Sequence, residues 1–279
     1  MGATKIVGSG LRLWAESWFR WFLVSLVMTG VVAVLTAAAD PWSATYGTEW
    51  WFGDRPFVRP DPNGFAVLLN LVGALLLAPW EILILTRAAL WSTFAEPLRG
   101  SALIGGTIRG VHSVLWIGFL LIVFAIPLGL AIAAIALAAR SEEGAGVVLL
   151  IPLALFLYFV PRLATLASVF VGHDARGTKA IGGAWRLSRG AWATSAGAIL
   201  LAVLISIAVS IPAGALISEV FPSVSRPDAI ARAVIQSVLN GVLTPMSVAI
   251  VAVLYLELMA RKDVLDQEVL RRSLARFDR

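Results

Sequence analysis

Apolar residues run through this chain in long blocks, at about Trp18–Ala39, Phe65–Phe94, Ser113–Ala139, Val147–Gly172, Ala191–Ile217 and Ala229–Met259. Crossing a hydrocarbon layer takes a helix of about 20 apolar residues, and no block alternates as a half-buried strand would. The pattern predicts an all-α integral membrane bundle with six transmembrane helices. The second block exceeds that length and predicts tilt or extension beyond the bilayer. Three stretches between or before the blocks, 1–17, 95–112 and 173–190, are basic and amphipathic. They predict interfacial helices lying on the membrane surface.

Two of these stretches repeat. Arg99-Gly100-Ser101-Ala102-Leu103-Ile104-Gly105-Gly106 recurs 77 positions on as Arg176-Gly177-Thr178-Lys179-Ala180-Ile181-Gly182-Gly183. Arg109 and Arg186 follow at matched positions, and the next apolar blocks share Ile126-Pro127-Leu128-Gly129 and Ile211-Pro212-Ala213-Gly214. Gly8 and Arg12 keep the same glycine-to-arginine spacing near the N-terminus. Repeats of this kind report architecture. They predict a threefold repeat of an amphipathic helix followed by a hairpin, in units of about 1–97, 98–175 and 176–260. Together the units make one domain over 1–279, with 261–279 as a charged cytoplasmic tail continuing from the last helix.

Composition supports the membrane class: 59% of residues are hydrophobic and 14% charged, where a soluble domain carries about 25% charged. With no cysteine and two histidines, disulfides, thiolate chemistry and a histidine-rich metal site are excluded. The net charge of +5 is better explained by membrane topology than by nucleic acid. A cytoplasmic N-terminus leaves only Arg55, Arg59, Arg140, Arg226 and Arg232 outside, and the other 17 of the 22 Lys and Arg inside. That asymmetry predicts a multi-pass protein of a bacterial-type plasma membrane with both termini cytoplasmic. Ala37-Ala38-Ala39 also allows a signal-peptide reading of the first block, which the repeat disfavours. The outer loop 40–64 is rich in tryptophan and proline and reads as an aromatic interfacial belt, or alternatively as a ligand-binding cap.

The candidate contacts for lipid or ligand are Glu81, Arg87, Arg162, Arg99, Arg176 and Arg186. Arg87 and Arg162 occupy matched positions near the inner ends of two helices. They either snorkel to headgroups or cap carbonyls, or else turn inward to hold a lipid phosphate. Glu81 lies about two turns deeper, where an ionisable group is costly. It serves either an intramembrane site or a structural contact with Arg87. Arg99, Arg176 and Arg186 lie in the basic elbows, where anionic headgroups bind naturally. Prolines in the later blocks predict kinks. His173-Asp174 is too isolated to make a site, and no nucleophile elbow, phosphate loop or zinc-protease motif occurs. No catalytic residue, cofactor or metal is expected.

The stretch Gly8 to Trp18, the run Ala180-Ile181-Gly182-Gly183-Ala184-Trp185-Arg186-Leu187-Ser188-Arg189-Gly190 and the close Val253-Leu254-Tyr255-Leu256-Glu257-Leu258 resemble the membrane domain associated with bacterial glycerophosphoryl diester phosphodiesterases. In fused members a separate barrel carries the chemistry. No barrel occurs in these residues, so the resemblance implies a stand-alone six-helix membrane module and assigns no phosphodiesterase residues. The expected function is non-enzymatic binding of lipid or of a membrane-protein partner, in envelope homeostasis or membrane-protein assembly. The alternative is a small transporter or flippase-like protein with Glu81 in its path.

Overall fold

The computed structural model describes residues 1–44, 63–94, 115–116, 158–173, 178–221, 225–262 and 265–276. Their regular structure is helical, with no strand among the described residues. The elements are α1 (Ala3–Ser25), α2 (Val31–Ala39), α3 (Gly64–Val72), α4 (Ala78–Ser92), α5 (Leu166–His173), α6 (Thr178–Ser188), α7 (Trp192–Val220), α8 (Arg226–Arg261) and α9 (Gln267–Arg276). Four helical stretches are long and apolar enough to cross a membrane: Ala3–Ala39, Gly64–Ser92, Trp192–Val220 and Arg226–Arg261. The first central repeat at 95–112, nearly all of the third block, the start of the fourth and the loop from 45 to 62 lie outside the described residues.

The N-terminus departs from expectation. Residues 1–17 form no separate surface helix, because α1 runs unbroken from Ala3 into the apolar block and continues through a π-helical turn, Leu26–Gly30, into α2. No proline or turn signal interrupts it. Its early apolar residues also have a protein surface to cover: Ile6 and Val7 are buried in a cluster with Ala198, Leu254 and Leu258. Burial against α7 and α8 takes the place of burial in headgroups.

Glycines set the pairing of the first and last spans. A Cβ on Gly10 would lie 2.6 Å from the Ile250 Cα, one on Gly241 would lie 3.0 Å from the Phe22 ring, and one on Gly30 would lie 3.2 Å from the Ser237 Cβ. As numbers rise along α1 and α2 they fall along α8, so the helices are antiparallel. Small residues let their backbones approach closely. At the end of this seam the Met1 amine pairs with Glu257, and Arg261 donates to the Met1 carbonyl. The N-terminus and the end of α8 therefore share one end of the bundle. At the other, Ala37 packs on Ala229 and Ala233.

A second π-helical turn, Gly73–Leu77, joins α3 to α4. It ends two residues before Pro79, which lacks an amide and whose ring crowds the carbonyl four residues back. The wider turn absorbs both defects and the span stays continuous. Pro212 and Pro245 lie inside the unbroken helices α7 and α8. Asn63 joins the first two spans at their far end, accepting from the Phe65 amide at 2.9 Å and donating to the Ala39 carbonyl at 3.1 Å. Ser225 caps α8, accepting from the Asp228 amide at 3.3 Å. Arg232 is buried and donates to the Phe221 carbonyl at the end of α7.

The largest buried cluster surrounds Tyr255 and joins Leu85, Leu90, Phe170, Ala184, Leu270 and Leu274. It lies at the end that carries Met1. Farther along, α2, α3 and α7 expose Val31, Leu35, Leu68, Leu71, Leu204 and Leu216, as helices facing hydrocarbon do. The tail does not simply extend α8. That helix stops at Arg261, and after a break the amphipathic α9 folds back so that Leu270 and Leu274 are buried.

Candidate functional site

Glu81 sits on the first turn of α4 and is 2% exposed. Its carboxylate accepts from the Ser25 hydroxyl at the end of α1, with Thr29 beside it. Thr29 in turn donates to the Ser25 carbonyl at 3.0 Å. The structural alternative for Glu81 was a contact with Arg87. Six residues turn a helix through about 600°, so the two side chains leave on different sides. Glu81 is held by Ser25 instead, across the first two spans.

Arg87 and Arg162, paired by sequence pattern, have different surroundings. Arg87 is 1% exposed, so it does not snorkel, and its Nη2 donates to the Leu274 carbonyl at 3.1 Å. It therefore caps a carbonyl, though on α9 rather than on its own helix. Arg162 lies in the shorter apolar helix Tyr158–Gly172 and is half-buried. Its guanidinium sits 4.3 Å from the centre of the Tyr158 ring and 4.4 Å from that of Trp185. Trp185 belongs to α6, so this stack fastens the short amphipathic helix to the apolar helix before it. Each such contact contributes about 0.5–1 kcal/mol near a surface. Arg162→Gln is expected to lower the melting temperature by a few degrees and shift the Trp185 fluorescence, and Arg162→Lys to do less of both.

The cations gather at the end that holds Met1. Helix α6 buries Ala180, Ala184 and Leu187 and exposes Lys179 and Arg186, then stops at Gly190, whose φ of 85° suits glycine. Arg186 folds along its helix to the Gly182 carbonyl at 3.2 Å. Lys262 donates to the Arg186 carbonyl, and Arg261 reaches the Thr194 hydroxyl at 3.3 Å. Arg271 and Arg272 are exposed on α9. Arg99 and Arg176 lie outside the described residues.

The four candidate contacts among the described residues have separate surroundings. Glu81 belongs to a seam between spans, Arg87 to the docking of α9, Arg162 to an aromatic stack and Arg186 to an exposed basic rim. Ser25, Thr29 and Leu274 did not stand out in the sequence, because a hydroxyl or a leucine within an apolar block carries no pattern of its own. No protein-family model, curated protein or solved structure matches this chain.

Proposed function

We infer that this chain is a non-enzymatic membrane module that binds anionic lipid at a basic cytoplasmic rim, with a membrane-protein partner as the second ligand class. In this reading it crosses a bacterial-type plasma membrane six times with both termini inside, as three amphipathic-helix-plus-hairpin units. Its likeness in kind is to the membrane domain associated with glycerophosphoryl diester phosphodiesterases. One observation carries the reading: the exposed cations Lys179, Arg186, Arg189, Arg261 and Lys262 gather at one end of spans whose flanks expose apolar side chains. A cationic rim directly above a hydrocarbon-facing surface matches the two parts of an anionic phospholipid.

The transport alternative asks for a polar cavity at Glu81. A cavity of about 290 Å³ lies between α7 and α8, away from Glu81, lined by Ile, Val, Leu and Ala with Ser206, Ser210 and Ser247. Its mostly apolar lining suits an acyl chain, which favours lipid binding.

Native mass spectrometry of the detergent-extracted chain tests the proposal. Combining Lys179→Gln, Arg186→Gln and Arg189→Gln is expected to reduce retained anionic lipid on the order of 100-fold, at about 1 kcal/mol for each cation near the surface. Retention of neutral lipid should be unaffected. Equal retention by the native and triply substituted chains would overturn it, and a stoichiometric co-purifying protein with no lipid would shift the assignment to a protein partner.

A further inference from the structure

The cavity between α7 and α8 is in register with the basic rim. On α7 its lining runs from Ile199 to Ile211, about 18 Å along the helix axis. That length matches one leaflet of a hydrocarbon core about 30 Å thick. Trp192, Ile199 and Ser206 recur at intervals of two helical turns, so the exposed Trp192 stands on the lined face of α7, at the mouth. Tryptophan is enriched at the level of the headgroups. On α8 the lining ends at Leu254, and Arg261 follows two turns later. Its guanidinium donates to Glu257 at 2.9 Å and to Thr194 of α7 at 3.3 Å, tying the two helices together above the mouth. Among the described residues the groove is open along its side, where the lining residues Ile207 and Ile211 are exposed.

Serines widen its lower part. Ser206 and Ser210 on α7 and Ser247 on α8 stand where a leucine or isoleucine would fill the space. The Ser206 hydroxyl donates to the Ala202 carbonyl at 3.0 Å, so it asks no hydrogen bond of an occupant. Hydrophobicity does not draw a chain into such a groove, because lipid tails are as apolar as its walls. Left empty, however, the lining would forfeit its dispersion contacts. An acyl chain therefore fills it, and the charge at the mouth decides whose chain that is. Arg189, three residues before Trp192, and Lys262, next to Arg261, are exposed at this end, and cations at the surface attract anionic headgroups.

We propose that the groove between α7 and α8 is the acyl-chain subsite for one anionic diacyl phospholipid of the rim-side leaflet. Its glycerol lies beside Trp192 and its phosphate meets the rim cations. The chain enters from the side, since Arg261 and Thr194 close the top. This rests on the lipid assignment above and deepens it: the rim selects by charge, and the groove holds one chain in place.

The test is photo-crosslinking of the purified full chain in phosphatidylcholine vesicles. They carry a trace of phosphatidylglycerol with a diazirine at mid-chain, and labelled peptides are read by mass spectrometry. Label on the α7 and α8 lining is expected several-fold above that on the exposed Val31, Leu35 and Leu68. It should also exceed the label from a phosphatidylcholine with the same chain. Ser206→Leu combined with Ser247→Leu fills the groove and should lower its label on the order of tenfold at unchanged helix content. If the double variant does not fold, either single substitution decides. Label spread evenly over the exposed apolar residues, or groove label that survives the filling substitutions, would overturn the proposal and leave the rim reading standing. Groove label equal from both lipids, and unchanged by replacing Lys179, Arg186 and Arg189 with Gln, would overturn the selection by charge and with it the rim reading.

Discussion

Gly10→Ala is expected to cost about 3 kcal/mol of stability, the upper part of the range for overpacking, and to lower the melting temperature by roughly 6–10 °C. The added methyl would meet the main chain of Ile250, with Cα at 2.6 Å and N at 2.9 Å. A flexible side chain could swing away from such a contact, whereas a helix backbone moves only if the whole seam opens. The effect would spread along α1 and α8, whose later contacts at Phe22 with Gly241 and Gly30 with Ser237 depend on the same approach. Gly8, two residues earlier, has nothing within 4 Å of its added Cβ. Gly8→Ala is therefore expected to be neutral, or stabilising by up to about 1 kcal/mol through helix propensity. The pair of variants, compared by thermal unfolding in micelles, separates packing from propensity. Equal behaviour of the two would contradict the antiparallel seam.

Leu270→Ala combined with Leu274→Ala is expected to release α9 while the spans stay folded. Each leucine is at most 2% exposed, and truncating a buried leucine costs at least about 2 kcal/mol. Two such losses weaken docking on the order of 1000-fold. The cost to the whole protein is smaller than their sum, because a ten-residue helix can undock alone instead of unfolding the core. Limited trypsin digestion should cut at Arg271 and Arg272 much faster in the double variant, with little change in the thermal transition of the spans. A large drop in that transition with slow cleavage would mean that α9 is an inseparable part of the core.

The apolar blocks made the helical class legible, and the blocks at Phe65–Phe94, Ala191–Ile217 and Ala229–Met259 lie close to described spans. The small amphipathic helix at Thr178–Ser188 was legible from its cations and glycines between two apolar blocks. Pairings distant in the chain were not. Ser25 and Glu81 are 56 residues apart, and Arg87 and Leu274 are 187 apart. Local periodicity holds no record of such partners. The π-helical turns were also invisible, since Leu26–Gly30 and Gly73–Leu77 read as ordinary apolar sequence. Only Pro79 hinted at a local irregularity. The docking of α9 was not legible either, because charges dominate the composition of the tail. The four-residue spacing of Leu270 and Leu274, after an Asp266 whose carboxylate accepts from the Glu268 and Val269 amides at 3.0 and 3.1 Å, was the available signal for a capped, one-sided helix.

The seam between α1 and α8 also has a consequence in time. A ribosome delivers the first span long before Ile250, Gly241 and Ser237 exist, yet those residues cover Gly10, Phe22 and Gly30. Through most of synthesis the leading helix stands in the bilayer with its glycine-bearing face against lipid or against whatever escorts nascent chains. The seam closes only when α8 arrives, so loss of α8 leaves α1 without its partner as well.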